Sequence, residues 1–386
     1  MTKIEASIII PSFNRKDLLE LSLYSFNKQD FMFDKFEVII IDDGSNDGTA
    51  DMVKSLNMNF PIKLIINEKN HGAAFCRNQG LKIARGNIII FSDSDLIVPP
   101  NFVSGHVNYH TLESNLSICA VIRWKKIYSF YYESFNYNQK KEFESVRRSL
   151  ITFNNKLKAT NFDYQDNHRI ICKDDLTRIE EYSFIPSWSD SFLGSLVKIF
   201  GNNLDNFQYP WLLFGTGNVS ILKKHLLDAG GFDERFKRQE DWDLGYRLYK
   251  NSIKFKCALE LESVHQEHKI VDNRDEINFN GYSLLLKKYT DPNLLMFILY
   301  IEGLVNLFTL SNASLGYSQL KTIKKFNPVI KKFNELLNYR INSYLNKKTR
   351  TDNFIDISNE LILLNEVSHK YISFIKIFKE LSRIYV

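Results

Sequence analysis

Residues 87–95 read NIIIFSDSD, an apolar run that ends at two aspartates separated by one serine. A short run of Ile and Phe without polar alternation predicts a strand that is buried on both faces. In an extended chain residues i and i+2 point to the same side, so we expect Asp93 and Asp95 to present their carboxylates together. Such oxygen ligands suit Mg²⁺ or Mn²⁺, whose coordination is completed by substrate phosphates. The alternative is a solvated turn, in which Asp and Ser are also common.

Three more apolar runs precede this one, at residues 6–10, 37–41 and 62–66, and helical patterns alternate with them. Alternating strands and helices, with strands that are apolar throughout, predict an α/β fold whose mainly parallel sheet has helices on both faces. Ligands of such sheets bind beyond the carboxyl ends of the strands. The polar residues that follow the runs, such as 11–14 and 42–45, are therefore candidates for a binding site.

Three further features of the chain are candidates for chemistry. Gly72 and Arg77 open a helical pattern, where a close backbone approach and a cation suit an anion. Glu240 and Asp241 open another helix, so the pair is either a structural first turn or places Asp241 as a general base. His265 follows a further strand pattern, with a second histidine three residues later. Imidazole is a common metal ligand, although a lone histidine is more often structural.

Composition excludes several classes of protein. The chain has 386 residues, of which 44% are hydrophobic, which is enough for a large core and excludes global disorder. The net charge of +5 does not point to nucleic acid, although nine Lys or Arg face one Glu between residues 321 and 350, a local balance of +8. The apolar run at residues 294–310 contains Glu302, which is costly inside a bilayer, so it predicts a buried helix. Four scattered cysteines indicate reduced thiols in a cytosolic compartment.

The order and spacing of the motifs resemble those of the family 2 inverting glycosyltransferases, most closely the chondroitin-polymerase and galactosyltransferase-type branch. The resemblance covers about residues 5–270 and implies the GT-A fold, a Rossmann-like, mixed and mainly parallel sheet. The matching motifs are residues 8–15 (IIIPSFNR), 38–49 (VIIIDDGSNDGT), 70–80 (NHGAAFCRNQG), 84–87 (ARGN), 91–95 (FSDSD), 217–220 (GNVS), 231–234 (GFDE) and 240–248 (EDWDLGYRL).

The resemblance implies that a sugar moves from a UDP-sugar to an acceptor hydroxyl by a metal-assisted single displacement that inverts the anomeric centre. Asp241 resembles the catalytic base, with Glu240 beside it, and the ligands of Mn²⁺ or Mg²⁺ would be Asp95, Asp93 and His265. The residues expected to bind the nucleotide sugar are Pro11, Phe13, Asn14, Arg15, Asp42, Asp43, Gly72, Arg77, Asp93, Ser94, Gly217 and Asn218. Ser92 stands where the family usually has an apolar residue, which leaves the donor sugar open.

We therefore predict a glycosyltransferase domain over residues 1–275, with a nucleotide-binding half (1–104) and an acceptor half (105–275). A C-terminal α-helical domain is expected over residues 276–386. The expected partners are a UDP-sugar and a glycan, lipid-linked or protein acceptor, and no nucleic acid. The basic helical stretch is either a solvated face or a surface for a membrane or a homodimer. The expected location is the cytoplasm, with peripheral contact at the inner face of the membrane as an alternative.

Two other functions remain open at this point. A sugar nucleotidyltransferase usually carries a glycine-rich loop after its first strand, whereas residues 11–15 (PSFNR) contain no glycine. A catalytically inactive binding or scaffold protein of the same fold would bind a UDP-sugar without turnover. A Rossmann dehydrogenase is excluded by the lack of GxGxxG after the first strand.

Overall fold

The computed structural model describes residues 3–120, 125–159, 162–164, 167–186, 193–270 and 273–385. The chain divides into two compact units. The first comprises Met1–Asp205 and Pro210–Arg274, and the second comprises Asn206–Tyr209 and Asp275–Val386. Each unit buries large apolar side chains of its own, such as Phe91 in the first and Phe333 in the second.

A seven-stranded sheet forms the centre of the first unit. The strands of this unit are β1 (Ala6–Ser12), β2 (Phe36–Asp42), β3 (Ile62–Ile66), β4 (Ile88–Ser92), β5 (Leu96–Ile97), β6 (Leu116–Cys119), β7 (Lys126–Ile127), β8 (Phe130–Tyr131), β9 (His168–Arg169), β10 (Asn218–Leu222), β11 (Lys254–Cys257) and β12 (Val264–Gln266). The central order is β11-β6-β10-β4-β1-β2-β3. Strands β1 to β4 pair in parallel, and β10 runs antiparallel to both of its neighbours. The predicted mainly parallel α/β sheet is confirmed.

Three of the four apolar runs form strands whose apolar residues are buried, whereas β3, at the edge of the sheet, is partly exposed. Every residue of β2 and β4 is buried, and Ile8, Ile9 and Ile10 of β1 are fully inaccessible. Such strands need cover on both faces, which α/β connections supply. Strand β6 was not predicted, since four residues with one serine carry little periodic signal.

Helices connect the strands of the first unit. They are α1 (Lys16–Phe26), α2 (Thr49–Ser55), α3 (Ala73–Ile83), α4 (Phe102–Leu112), α5 (Tyr137–Ser149), α6 (Ile151–Ala159), α7 (Leu193–Phe200), α8 (Lys223–Asp228) and α9 (Glu240–Lys250), with 3₁₀ helices at Lys173–Glu181, Pro210–Leu213 and Leu259–Leu261. Helix α3 packs closely on β1 at Gly80, where a Cβ atom would lie 2.5 Å from Ile9. This close packing places the start of α3 beside the ends of β1 and β4.

A second, three-stranded sheet determines which residues meet at the end of β4. Its order is β5-β12-β7, and β12 runs antiparallel to β5 with His265 opposite Leu96. The backbone N–H of Gln266 donates to the carbonyl oxygen of Asp95 at 2.9 Å. A segment about 170 residues downstream of β4 is thereby held against Asp95.

The second unit is helical, as predicted, with one added strand pair. Its helices are α10 (Arg274–Lys288), α11 (Pro292–Leu295), α12 (Ile298–Ile301), α13 (Leu307–Leu320), α14 (Asn327–Leu345), α15 (Ser358–Leu364) and α16 (Ile372–Leu381), and its strands β13 (Arg350–Phe354) and β14 (Arg383–Tyr385) pair antiparallel. Arg340 is buried and binds Glu302 at 2.5 Å, so it does not add to the basic surface. None of the helices in the described ranges has the length and apolar character that crossing a bilayer requires.

Candidate active site

Residues that follow the parallel strands line two cavities in the first unit. The strand-end cavity, of about 270 Å³, is lined by Pro11, Ser12, Phe13, Arg15, Asp43, Asn70, Gly72, Ala73, Cys76, Arg77, Asp93, Ser94 and Asp95. The helix-start cavity, of about 430 Å³, is lined by Arg77, Asp93, Leu96, Ala120, Lys125, Leu212, Leu213, Gly215, Thr216, Gly217, Asn218, Arg238, Gln239, Glu240, Asp241, Trp242, Ser263 and His265. Arg77 and Asp93 line both cavities, so the two adjoin at these residues.

Asn14 and Asp42, two of the predicted binding residues, are not part of the described lining of either cavity. Asn14 has a φ of +51°, which asparagine tolerates better than most residues. Its backbone N–H donates to Ser45 Oγ at 2.8 Å, and its Oδ1 accepts from the N–H of Asn46 at 2.9 Å. Asp42 Oδ1 accepts from the N–H of Ser45 at 3.1 Å. In this structure the Asn14 side chain therefore ties the loop after β1 to the loop after β2, and the Asp42 side chain closes the turn after β2.

Asp43 holds the loop that leads into α3. Its carboxylate accepts from the backbone N–H groups of His71 and Gly72 at 2.8 to 3.1 Å, and from Asn67 Nδ2 at 2.8 Å. Gly72 has a φ of +98°, which residues with a Cβ rarely adopt. Asp43 is 3% exposed yet lines the strand-end cavity, so the loop and the cavity wall depend on the same carboxylate.

The two aspartates after β4 face different partners. The chain turns at Ser94 and Asp95 rather than continuing extended, so the geometry expected for residues i and i+2 of a strand does not apply. Asp93 Oδ1 accepts from Arg77 Nη2 at 3.1 Å. Asp95 instead lies 3.0 Å from His268 Nε2 and 3.8 Å from His265 Nε2.

Asp95, His265 and His268 form a group whose potential ligand atoms all lie within 4.8 Å of one another. Burial opposes ionisation of Asp95, but the hydrogen bond from His268 and the charges of His268 and Arg15 favour it, and the pKa of this carboxyl lies below its ordinary value. Burial also lowers the pKa of His265, which favours the neutral imidazole that binds metals. One carboxylate and two imidazoles fit a divalent ion with open positions, and nitrogen ligands favour Mn²⁺ over Mg²⁺, which prefers oxygen.

Arg77 lies at the boundary between the two cavities and pairs with two carboxylates. Its side chain is 4% exposed, and its Nη1 donates to Glu240 Oε1 at 2.7 Å while its Nη2 donates to Asp93. Burial disfavours the charge of Arg77, but Glu240 and Asp93 outweigh burial and keep its pKa above the ordinary value. The guanidinium therefore links the turn after β4 to the start of α9.

Arg77→Met is expected to destabilise the fold, because it leaves the carboxylate of Glu240, 11% exposed, without its cation. Removing one partner of a buried ion pair costs about 3–5 kcal/mol. Urea unfolding followed by circular dichroism measures the change. Adding Glu240→Gln should recover part of the loss, since it removes the unpaired charge. An unchanged unfolding midpoint for Arg77→Met would show that this pair contributes nothing to stability.

Glu240 and Asp241 begin α9 but have different surroundings. Gln239, which precedes them, has a φ of +64°, so the chain turns sharply into the helix. Glu240 is held by Arg77, whereas Asp241 lines the helix-start cavity and its Oδ1 accepts only the backbone N–H of Trp242 among the hydrogen bonds of the described residues. Burial, followed by the charge of Glu240, raises the pKa of Asp241 to about 7. Such a carboxyl can accept a proton near neutral pH.

Gly217 and Asn218 lie at the start of β10 and form part of the wall of the helix-start cavity. A Cβ on Gly217 would lie 3.0 Å from Asp93 Oδ2, so any larger residue would press on this carboxylate. Asn218 is 1% exposed, and its side-chain amide bonds to His106 Nε2, to the carbonyl oxygen of Leu261 and to Ser263 Oγ. The Asn218 side chain thus holds the wall in place in this structure.

Sequence reasoning weighed His268 together with His265 but did not include it among the metal ligands. The signal was two histidines three residues apart after a strand, and the structure brings both to Asp95. Lys125 and Arg238, which also line the helix-start cavity, were missed. A single basic residue in a loop has no pattern in sequence that separates it from ordinary surface charge.

The sequence of this chain is similar to a known protein family and to several known proteins. The family described as glycosyl transferase family 2 matches residues 7–176. An uncharacterized glycosyltransferase, YfnE, of Bacillus subtilis (strain 168) is 37% identical over 273 residues, which cover 69% of this chain and 65% of the relative. The chondroitin synthase of Escherichia coli is 26% identical over 68% of this chain and 34% of its own length. The chain thus spans less than two thirds of the length of these relatives.

Two solved structures share the fold. One is the mannosyltransferase PcManGT of Pyrobaculum calidifontis in complex with GDP-Man and Mn²⁺, at a TM-score of 0.50 and 14% identity over 96% of this chain and 88% of that one. The other is S. aureus TarS 1–349 in complex with UDP-GlcNAc, at a TM-score of 0.50 and 16% identity over 89% and 91% of the two chains. At these identities the likeness concerns the fold, which is that of the GT-A glycosyltransferases.

Proposed function

The chain carries a glycosyl transferase family 2 domain with the GT-A fold, and from this premise we propose that it transfers a sugar from a UDP-sugar to an acceptor hydroxyl with inversion. One observation carries the proposal. A cavity beside a potential metal site adjoins a cavity that contains a carboxyl with a raised pKa, and the two share Arg77 and Asp93.

The strand-end cavity is the proposed donor site. Pro11, Phe13 and Asp43 lie on its wall and would contact the uridine, and Arg15 supplies a cation for the diphosphate. Arg15 Nη2 lies 3.2 Å from His268 Nδ1, so this cation is held next to the potential metal ligands. The TarS structure with UDP-GlcNAc supports a UDP-sugar donor, whereas the PcManGT structure contains GDP-Man.

A divalent ion, Mn²⁺ or Mg²⁺, would be held by Asp95, His265 and His268. Bound there, it would neutralise charge on the departing diphosphate. The presence of Mn²⁺ in the PcManGT structure supports this proposal. Asp93, which was predicted as a further ligand, pairs with Arg77 instead and would face the donor from the boundary of the cavities.

The helix-start cavity is the proposed acceptor site. Asp241 would take the proton from the acceptor hydroxyl as this oxygen attacks the anomeric carbon from the face opposite the leaving UDP. One displacement then inverts the anomeric centre and needs a single base. Glu240, predicted as a second catalytic residue, has its carboxylate bound by Arg77, so we assign it a positioning role.

The pH dependence of transfer should follow the raised pKa of Asp241. The carboxyl must be ionised to act as a base, so the rate is full above about pH 7 and lost below it. We expect kcat/KM for the acceptor to fall about tenfold per pH unit below about pH 6. A pH–rate profile at saturating UDP-sugar and Mn²⁺ measures this. A rate that is flat between pH 5 and pH 8 would remove Asp241 from the role of base.

UDP release from a panel of UDP-sugars with Mn²⁺ tests the function as a whole. Turnover of one donor supports the proposal, and metal-dependent UDP binding without turnover would favour the inactive binding protein instead.

A cytoplasmic location is proposed from the four free cysteines. Membrane contact and a homodimer through the second unit stay predictions, which vesicle co-sedimentation and light scattering of the full chain would test.

A further inference from the structure

Arg238 is a cation of the helix-start cavity that the proposed reaction does not use. It lies three residues before Asp241, and the two are separated by the turn at Gln239 and by Glu240. The residue is exposed, and its side chain forms no ion pair or hydrogen bond with any part of the chain that the structure describes. An unpaired guanidinium that lines the same cavity as a proton-accepting carboxyl is available to an anionic group of a bound ligand.

The other cations of this cavity already have carboxylate partners. Arg77 binds both Glu240 and Asp93. Lys125 forms an ion pair with Glu180. Among the described residues of the wall, Arg238 is therefore the fixed positive charge that remains available to a ligand.

The donor does not account for Arg238 either. The strand-end cavity, where the diphosphate is proposed to bind, is lined by Arg15 and Arg77 and not by Arg238 among the described residues. The helix-start cavity also offers apolar surface, from Trp242 and from Leu212. A cavity of about 430 Å³ with apolar walls and a few placed charges is of the kind that binds small molecules.

We propose that the acceptor is an acidic saccharide, whose carboxylate or phosphate pairs with Arg238 while its reacting hydroxyl faces Asp241. This inference rests on the proposed function and names its acceptor class. Glu240, Asp93 and the ionised Asp241 would repel an anion, so an acidic acceptor needs a cation at the wall. A guanidinium binds a carboxylate or a phosphate through two parallel hydrogen bonds, which also orients the ring.

Matched glycosides test the proposal with the full chain, UDP and Mn²⁺. The neutral member is p-nitrophenyl β-glucoside, and the acidic members are p-nitrophenyl β-glucuronide and the 6-phosphate of the glucoside. Their affinities are measured by isothermal titration calorimetry, and kcat/KM is measured with the UDP-sugar that the enzyme turns over. The variants are Arg238→Gln and Arg238→Glu. Arg235→Gln is the matched control, since Arg235 is 66% exposed and pairs with Asp233 outside the cavity lining.

We expect an acidic glycoside to bind about 10- to 100-fold more tightly than the neutral one, which is the range for a charge-assisted pair. Arg238→Gln should remove this preference, Arg238→Glu should reverse it, and Arg235→Gln should retain it. The glucuronide and the phosphate distinguish the two anionic groups. Equal affinities, or no binding of either acidic glycoside, would overturn the proposal.

The kinetic arm separates this proposal from the proposed function. If Arg238→Gln raises KM for the UDP-sugar equally with acidic and neutral acceptors, Arg238 serves the donor and the acceptor proposal is wrong, while the transferase function stands. If the wild type releases no UDP from any donor, the proposed function fails. The binding measurements still decide in that case whether the cavity selects acidic saccharides.

Discussion

Asp241→Asn is expected to reduce the rate of sugar transfer by about 10³-fold while leaving the protein folded. The amide keeps an Oδ1 that accepts the N–H of Trp242, so the start of α9 keeps its hydrogen bond. It cannot take a proton from the acceptor hydroxyl. KM for the UDP-sugar should change little, because Asp241 lines the acceptor side and not the donor cavity.

Although Asp241→Asn should lower the rate of transfer, we expect it to keep or raise the stability of the fold. The folded-state pKa of Asp241 is about 7, above the ordinary value of 3.8, so folding favours the protonated carboxyl and its benefit is lost as pH rises through 7. At pH 8 the asparagine variant, which carries no charge, should therefore melt at the same temperature as the wild type or higher. Differential scanning calorimetry measures this.

Asp51→Asn is the matched control for Asp241→Asn, because its side chain is 89% exposed and the chemical change is the same. This control should keep both the wild-type rate and the wild-type melting temperature. A transfer rate for Asp241→Asn within tenfold of the wild type would place the base elsewhere. A large fall in its melting temperature would mean that Asp241 holds the fold.

Asp95→Ala is expected to abolish metal-dependent donor turnover, with a loss of at least about 10²-fold. Asp95 is the carboxylate of the group with His265 and His268, so removing it leaves two neutral imidazoles for a divalent cation. Titration of Mn²⁺ in the presence of UDP, followed by electron paramagnetic resonance, measures binding without reference to activity. We expect the variant to bind Mn²⁺ much more weakly.

His268→Gln provides a graded version of this test. It should weaken Mn²⁺ binding, and His369→Gln should not, since His369 is an exposed histidine of the second unit. Full Mn²⁺ affinity in Asp95→Ala, or turnover that survives chelation of all divalent ions, would rule out this group as the metal site. If His268→Gln and the corresponding His265→Gln both bound Mn²⁺ as tightly as the wild type, the ligands would lie elsewhere.

Much of the sheet was predictable because its strands are local apolar runs. The runs around Ile9, Ile40 and Ile90 are buried at every position, and a run of this kind has no stable place except inside a covered sheet. The candidate residues that follow those runs were found for the same reason, since the ends of parallel strands meet at one edge. Pro11 and Gly72 lie in motifs that resemble those of the family, so the family could also be predicted from the sequence.

The contacts within the candidate active site were less predictable than the sheet, because they join distant parts of the chain. Glu240 and Arg77 are 163 residues apart, and nothing near either residue indicates that they pair. Sequence reasoning therefore assigned Arg77 to the nucleotide and Glu240 to catalysis. It also expected Asp93 and Asp95 to present their carboxylates together, whereas the turn at Ser94 directs them to different partners.

By itself, the sequence determined the α/β class, the positions of the first four parallel strands, the helical second unit and the set of polar residues at the ends of those strands. These properties depend on hydrophobic periodicity and on motifs that span about ten residues. Only the tertiary structure decided that His268 joins Asp95, that Arg77 binds Glu240, and that Arg238 remains unpaired beside Asp241 within the described residues. Pairing of charges and metal ligands depends on distances in space, and strands such as β5 and β12 establish those distances by bringing remote segments together.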